Sequence, residues 1–150
     1  MKYEDWVRYD KGDNKMGLDV YLANGKTYNT EWECDDYETI EINSTLYPEH
    51  LFKIGYFRSS YNSGGINRVA NRYSLLDLYD IFDPHSYTFI PDWADAMKKC
   101  EAAIKQWDAY AMSDIGQTEW YTQALAIVKE TIAWVLAQDN TEEYFLVWSS

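Results

Sequence analysis

Met16, Leu18, Val20 and Leu22 alternate with Gly17, Asp19 and Tyr21, the two-residue period of a strand with one buried face. Asn24-Gly25 follows. Both positions of a type I′ turn need positive φ, so this dipeptide predicts a hairpin with Lys26-Thr27-Tyr28 as the return strand. Residues 38–43, in which Ile40 and Ile42 alternate with Thr39 and Glu41, predict a second strand, and residues 51–57 a third. Residues 1–57 are thus expected to be mainly β.

From residue 64 the period lengthens. Short helices are expected over 64–82, the first starting near Gly65. Ser74-Leu75-Leu76-Asp77 has capping-box spacing and predicts a second short helix ending near Phe82, where Asp83-Pro84 stops it. Pro91-Asp92 opens a helical hairpin over 91–139. Trp93, Met97, Cys100, Ile104, Trp107 and Ala111 step by four and three, which keeps them on one helix face. Ser113 to Gln117, with Gly116, breaks the pattern. Trp120, Ala124, Ile127, Thr131, Trp134 and Gln138 then repeat it, with Val128 and Val135 widening the stripe. The tryptophans at 93, 107, 120 and 134 are expected to fill the space between the two helices. Residues 143–148 favour β structure and read as a strand returning to the sheet. Strands followed by helices predict a single α+β domain, a small antiparallel sheet packed on an antiparallel helical hairpin. The same stripes would also serve a homo-oligomer.

Composition sharpens this picture in two ways. The chain has 150 residues, with 14 Tyr, 7 Trp and 5 Phe, enough aromatic volume for a sizeable core. Its net charge of -12 repels nucleic acid and anionic membrane, so neither is expected as a partner. The expected partners are a small anionic ligand at some local exception to that charge, or a basic protein. No apolar run reaches the length of a membrane helix, and the first residues lack the apolar core of a signal peptide. A cytoplasmic protein is expected, with Cys34 and Cys100 as free thiols.

The local exception lies between His50 and Leu76, a stretch of 27 residues without Asp or Glu that carries Lys53, Arg58, Arg68 and Arg72. Within it, Gly55-Tyr56-Phe57-Arg58-Ser59-Ser60-Tyr61-Asn62-Ser63-Gly64-Gly65-Ile66-Asn67-Arg68 reads as strand, polar turn, glycine pair and helix start. Arg58, Arg68 and Arg72 supply guanidiniums for a phosphate or carboxylate. Tyr56, Phe57 and Tyr61 supply flat faces for a ring. Ser59, Ser60, Asn62 and Asn67 supply neutral donors and acceptors, and Gly64 and Gly65 let backbone approach an anion. The expected ligand is small, anionic and nucleotide-like. Pairing of the arginines with the chain's own acids is the structural alternative. The glycines match neither a Walker loop nor the dinucleotide fingerprint.

Tyr56-Phe57-Arg58-Ser59-Ser60-Tyr61-Asn62, with Gly65-Ile66-Asn67 beyond it, resembles a motif in small proteins of tailed bacteriophages. The likeness covers residues 54–72. It implies a phage accessory protein made in a bacterial cytoplasm, of the kind that acts against host defence by mimicking DNA or sequestering a nucleotide signal. It carries over no catalytic residue.

Other chemistry is thinly marked. Glu31, Glu33, Asp35, Asp36, Glu38 and Glu41 form an acidic run that suits a solvated loop, a cation or a DNA-mimic face, but lacks the EF-hand order. With the helix surfaces it supports the second reading, an acidic inhibitor of a host nucleic-acid-binding or defence protein. His50 and His85 lack metal-ligand spacing, and the serines lack a nucleophile elbow. No catalytic residue, metal or cofactor is assigned, and an enzyme acting on a phosphorylated small molecule is the third reading.

Overall fold

The computed structural model describes residues 19–25, 37–58, 65–110 and 115–149. Among these, five strands and four helices follow one another as β1 (Asp19–Asn24), β2 (Glu38–Ile40), β3 (Tyr56–Arg58), α1 (Ile66–Arg72), α2 (Leu78–Phe82), β4 (Thr88–Phe89), α3 (Trp93–Asp108), α4 (Ile115–Leu136) and β5 (Tyr144–Ser149), the last entered through a tight turn at Thr141–Glu143. The α+β class and the antiparallel sheet agree with the sequence pattern.

β1 organises the sheet. Along one edge it pairs antiparallel with all of β5, from Asp19↔Ser149 to Asn24↔Tyr144. Its other edge is shared, with β3 opposite Asp19–Tyr21 and β2 opposite Leu22–Asn24. β4 pairs with the far edge of β5. The returning strand is therefore central, while the proposed return strand at 26–28 lies outside the described residues. Gly25 instead donates its N–H to the Glu143 carbonyl at 3.2 Å.

Residues 51–57 do not form one strand. Gly55 interrupts them at φ +93°, between isolated bridges at Lys53 and Ile54 and the strand β3 that pairs with β1. Its carbonyl accepts from Leu22 N–H at 2.8 Å, and its N–H donates to Thr131 Oγ1 of α4 at 3.2 Å.

Alternation sorts the sheet's side chains. Val20, Leu22, Phe57, Phe89, Leu146 and Trp148 enter the main core with the helices. Ala23 and Phe145 face the other side, where Tyr37, Ile90 and Val147 pack around them. Trp148 lies between Tyr79 and Phe89, its ring nearly parallel to both, with centroids at 5.4 and 5.8 Å.

The helical hairpin forms as predicted. Trp107 meets Tyr121 at 4.6 Å and donates to Thr122 Oγ1 at 2.8 Å, while Cys100, one level earlier in α3, meets Leu125, later in α4. This opposite progression makes the pair antiparallel. Burial pushes the Cys100 thiol up to about 12, so it packs rather than reacts. The other three tryptophans have ring partners outside the hairpin. Trp93 packs on Phe82, Trp120 on Phe52 and Trp134 on Tyr144 of β5. α4 is buried around much of its circumference, so its aromatic positions serve several neighbours.

The capping box at the second short helix belongs to Asp77 and Asp80, three residues beyond the expected Ser74. Ser74 is instead left-handed, at φ 58°, and closes α1. A carboxylate at Asp77 accepts from Asp80 N–H and from Asn71 Nδ2, and Asn67 Oδ1 accepts from Leu78 N–H. These bonds tie α1 to α2.

Between β2 and β3 the chain makes an excursion, residues 42–54, closed by reciprocal bonds between Ile42 and Ile54. Glu130 of α4 anchors it. Its carboxylate accepts from Ser44 Oγ at 2.6 Å, and from Thr45 N–H and Oγ1. His50 Nδ1 accepts from Phe52 N–H at 2.9 Å, and Nε2 lies 3.3 Å from the Trp120 carbonyl, which places the ring proton on Nε2. Burial lowers the His50 pKa from 6.5; the Trp120 bond opposes this and Lys53 adds to it. Burial also works to raise the Glu130 carboxyl, but the bonds from Ser44 and Thr45 outweigh it and hold it below 4.5.

Stability should therefore fall with acid in two stages. The unfolded chain takes up the His50 proton first, so stability is lost as pH falls below 6.5 toward the lower folded value. Glu130 adds a second loss as pH falls below 4.5. Urea midpoints from about pH 7.5 to about pH 5.5 should decline, and His50→Gln should flatten that limb. An unchanged limb in the variant would exclude His50 as its source.

Candidate functional site

The period-two rule separates the arginine island at β3. Phe57 points into the main core, fully buried, and stacks on Phe82 at 6.3 Å. Tyr56 and Arg58 consequently leave the sheet on the opposite face. The register with β1 sets Tyr21 beside Tyr56 and Asp19 beside Arg58.

The resulting corner is built around one carboxylate oxygen. Tyr56 Oη donates to Asp19 Oδ1 at 3.0 Å, and Arg58 Nε lies 3.8 Å from the same atom. That second distance is ion-pair range but beyond a hydrogen bond. Asp19 is the one acid at ion-pair distance from Arg58 among the described residues, and both side chains are 33% exposed. An exposed pair of this kind contributes about 0–1 kcal/mol and leaves the guanidinium's planar fork available for a better-matched anion. The Tyr21 and Tyr56 rings stand 5.3 Å apart at 41°.

Both phenols are held protonated. Burial and the bond to Asp19 push Tyr56 up to about 12. Burial, with Asp19 and Glu41 nearby, raises Tyr21 as well. The corner therefore holds one cation, Arg58, and one carboxylate, Asp19, beside two aromatic faces with neutral O–H groups.

The remaining island residues are distributed differently. Asn67 is fully buried and structural, its oxygen serving α2. Phe57 and Asn67 are thus corrected from ligand contacts to parts of the core. Gly65 is the N-cap of α1, in extended conformation and without a side-chain cap bond. Arg68 and Arg72 lie on the exposed face of α1, whose other side buries Ile66, Val69 and Ala70. Arg58 thus leaves β3 away from the core, while Arg68 and Arg72 stand on the solvent face of a separate element, α1. Arg68 and Arg72 also make contacts of their own. Ser59, Ser60, Tyr61, Asn62 and Gly64 lie outside the described residues.

Sequence reading missed Asp19 and Tyr21. Their side of β1 was legible from alternation, but their position beside β3 depends on register, which no local pattern specifies.

Two concave sites among the described residues lie elsewhere. A groove of about 580 Å³ along α3 and α4 is lined by Lys98, Lys105 and Lys129 over Ala102 and Ile104, with Glu101 and Asp108 beside them. Lys129 is 3.6 Å from Glu101. A smaller hollow of about 200 Å³ lies among Phe82, Asp83, His85, Phe89 and Asp92. Among the described residues no three His, Cys, Asp or Glu side chains gather as metal ligands, and no helix is long and apolar enough to cross a membrane.

Comparison with protein families, with curated proteins and with solved structures finds no match to the chain.

Proposed function

We propose that the protein is a non-enzymatic binding protein that captures a small anionic ligand bearing a flat ring, of the nucleotide kind, at Tyr21, Tyr56 and Arg58. The observation that carries this reading is the Arg58 guanidinium, one-third exposed beside two aromatic rings and lacking a hydrogen bond to its only described acid neighbour. A phosphate would take the guanidinium in two parallel bonds, and a base would lie on the tyrosine face. The likeness of residues 54–72 to tailed-phage proteins supplies the setting: in a bacterial cytoplasm such a protein would remove a host signal and so act against defence.

Thermal unfolding with ADP, cyclic AMP and inorganic phosphate tests the proposal. Nucleotide at a hundred times its Kd should add about 2.7 kcal/mol. For a chain of this size that is a rise of roughly 5–11 °C. Arg58→Ala should abolish the rise, and inorganic phosphate should give less than the nucleotides because it has no ring. A rise that survives Arg58→Ala but vanishes in Lys98→Ala/Lys105→Ala would move the site to the α3–α4 groove and overturn the assignment.

A further inference from the structure

We propose that the groove along α3 and α4 is a second ligand site, independent of Arg58, for a small organic monoanion with an extended apolar body, of the medium-chain carboxylate kind. Its volume of about 580 Å³ lies within the range of small-molecule sites. Its residues line one concavity, so they are together in space and not only along the chain.

The groove gathers cations in an acidic protein. After Arg72 the chain has four bases, Lys98, Lys99, Lys105 and Lys129. Lys99 pairs with Asp95 at 3.0 Å, and the other three line the groove. Helix geometry explains the convergence. Lys98 and Lys105 are seven residues apart on α3, which is two turns, about 10 Å, along one face. α4 runs antiparallel and brings Lys129 to the Lys98 end, 3.6 Å from Glu101. Among the described residues, neither Lys98 nor Lys105 has a carboxylate within ion-pair distance.

Charge selects the head of the ligand. Three ammoniums face two carboxylates, Glu101 and Asp108, so the groove has one positive charge in surplus on a chain of net charge -12. One anionic head cancels that surplus, and a multiply charged nucleotide would reverse it. The surplus sits at the Lys98 end, where two ammoniums share Glu101. At the other end Lys105 and Asp108 are one turn apart and balance. The floor selects the body. Ala102 lies one turn beyond Lys98, and half-buried Ile104 follows two residues later. Neither side chain can hydrogen-bond, so methylenes fit there and a polar chain would lose its water without return. The lysine stems add apolar walls. A head held at Lys98 and Lys129 thus lays its tail along α3 toward Lys105.

Titration of isotope-labelled protein with octanoate, read by amide chemical shifts, tests the site. Octanoate should bind saturably and move the amides of α3 and α4 around Ala102 and Lys129. Each methylene added between butyrate and octanoate should tighten binding about two- to fourfold, and octanol, which lacks the anion, should bind more weakly than octanoate. Lys98→Ser/Lys129→Ser should weaken octanoate about tenfold, and Lys98→Arg should retain it. Ala102→Glu, at an exposed helical position that leaves the core intact, should abolish binding by setting a carboxylate on the floor. Arg58→Ala should change nothing, so failure here is distinct from failure at the tyrosine corner. Butyrate bound as tightly as octanoate, indifference to Ala102→Glu, or loss of binding in Arg58→Ala would overturn the proposal. So would attachment to phosphatidylglycerol vesicles without binding of monomeric octanoate, since the groove would then be a contact for a lipid surface.

Discussion

Trp148→Ala is expected to lower the unfolding free energy by about 3–5 kcal/mol. Trp148 is 2% exposed and is clasped between Tyr79 of α2 and Phe89 of β4, with ring planes within 13° and 17° of its own. Its backbone is fixed on both sides, paired with Val20 on β1 and donating to the Tyr87 carbonyl at 2.7 Å. The two rings that face it belong to different elements, so neither can move into the space without disturbing the sheet or a helix. The cavity would persist, and the cost should fall at the upper end of the large-to-small range. Thermal unfolding should shift down by roughly 6–20 °C. Trp134→Ala, at a half-buried position, gives the contrast and should cost clearly less. A loss below about 1 kcal/mol at Trp148 would mean that the stack contributes little to the fold.

Gly55→Ala should be nearly as damaging, although it adds only one methyl group. At φ +93° an L side chain is strained whatever the surrounding space. Here there is no space either: an added Cβ would stand 2.0 Å from the Ile40 carbonyl oxygen and 3.3 Å from Leu22 Cβ. The nearest obstacle is backbone, which cannot rotate away. Relief would require β2 to part from β1, or Gly55 to give up its bonds to Leu22 and Thr131. Strain and displacement together suggest about 2–4 kcal/mol. Urea unfolding followed by circular dichroism would measure it, and an unchanged midpoint would show that this edge of β1 yields easily. Because Gly55 precedes Tyr56 directly, the variant should also disturb the tyrosine corner and weaken any nucleotide response.

The helices were legible because their signal is local. A stripe spaced by three and four residues places Trp93, Cys100 and Trp107 on one face whatever else the chain does, and all three are buried. The identity of strand neighbours was not legible. Asn24-Gly25 invited a local hairpin, yet the described edges of β1 belong to β5, β2 and β3, and the excursion at 42–54 has no periodic mark. For the candidate site, composition found an arginine cluster along the chain but not the faces on which its members stand. The correction was available from Tyr56-Phe57-Arg58 itself. On a strand, a buried Phe57 obliges Arg58 to face away from the core. Reading the island as a list of residue types passed over that rule. Asp77 shows the same lesson on a helix, since two overlapping capping-box spacings compete and the geometry of the preceding turn at Ser74 selects the later one.

The pairing of β1 with β5 joins Asn24 to Tyr144, 120 positions apart, and every other rung of that ladder is longer. Such a ladder cannot zip from a turn. Its closure entropy must be met before any rung forms, so the helical hairpin has to gather first and carry the distant segment into place. Acquisition of the native state should therefore be slow relative to its helix content, with β1 the last element to lose solvent exchange at its amides. Until then the outer and inner faces of β1 have no sheet to belong to, and its hydrophobic alternation is open to strangers.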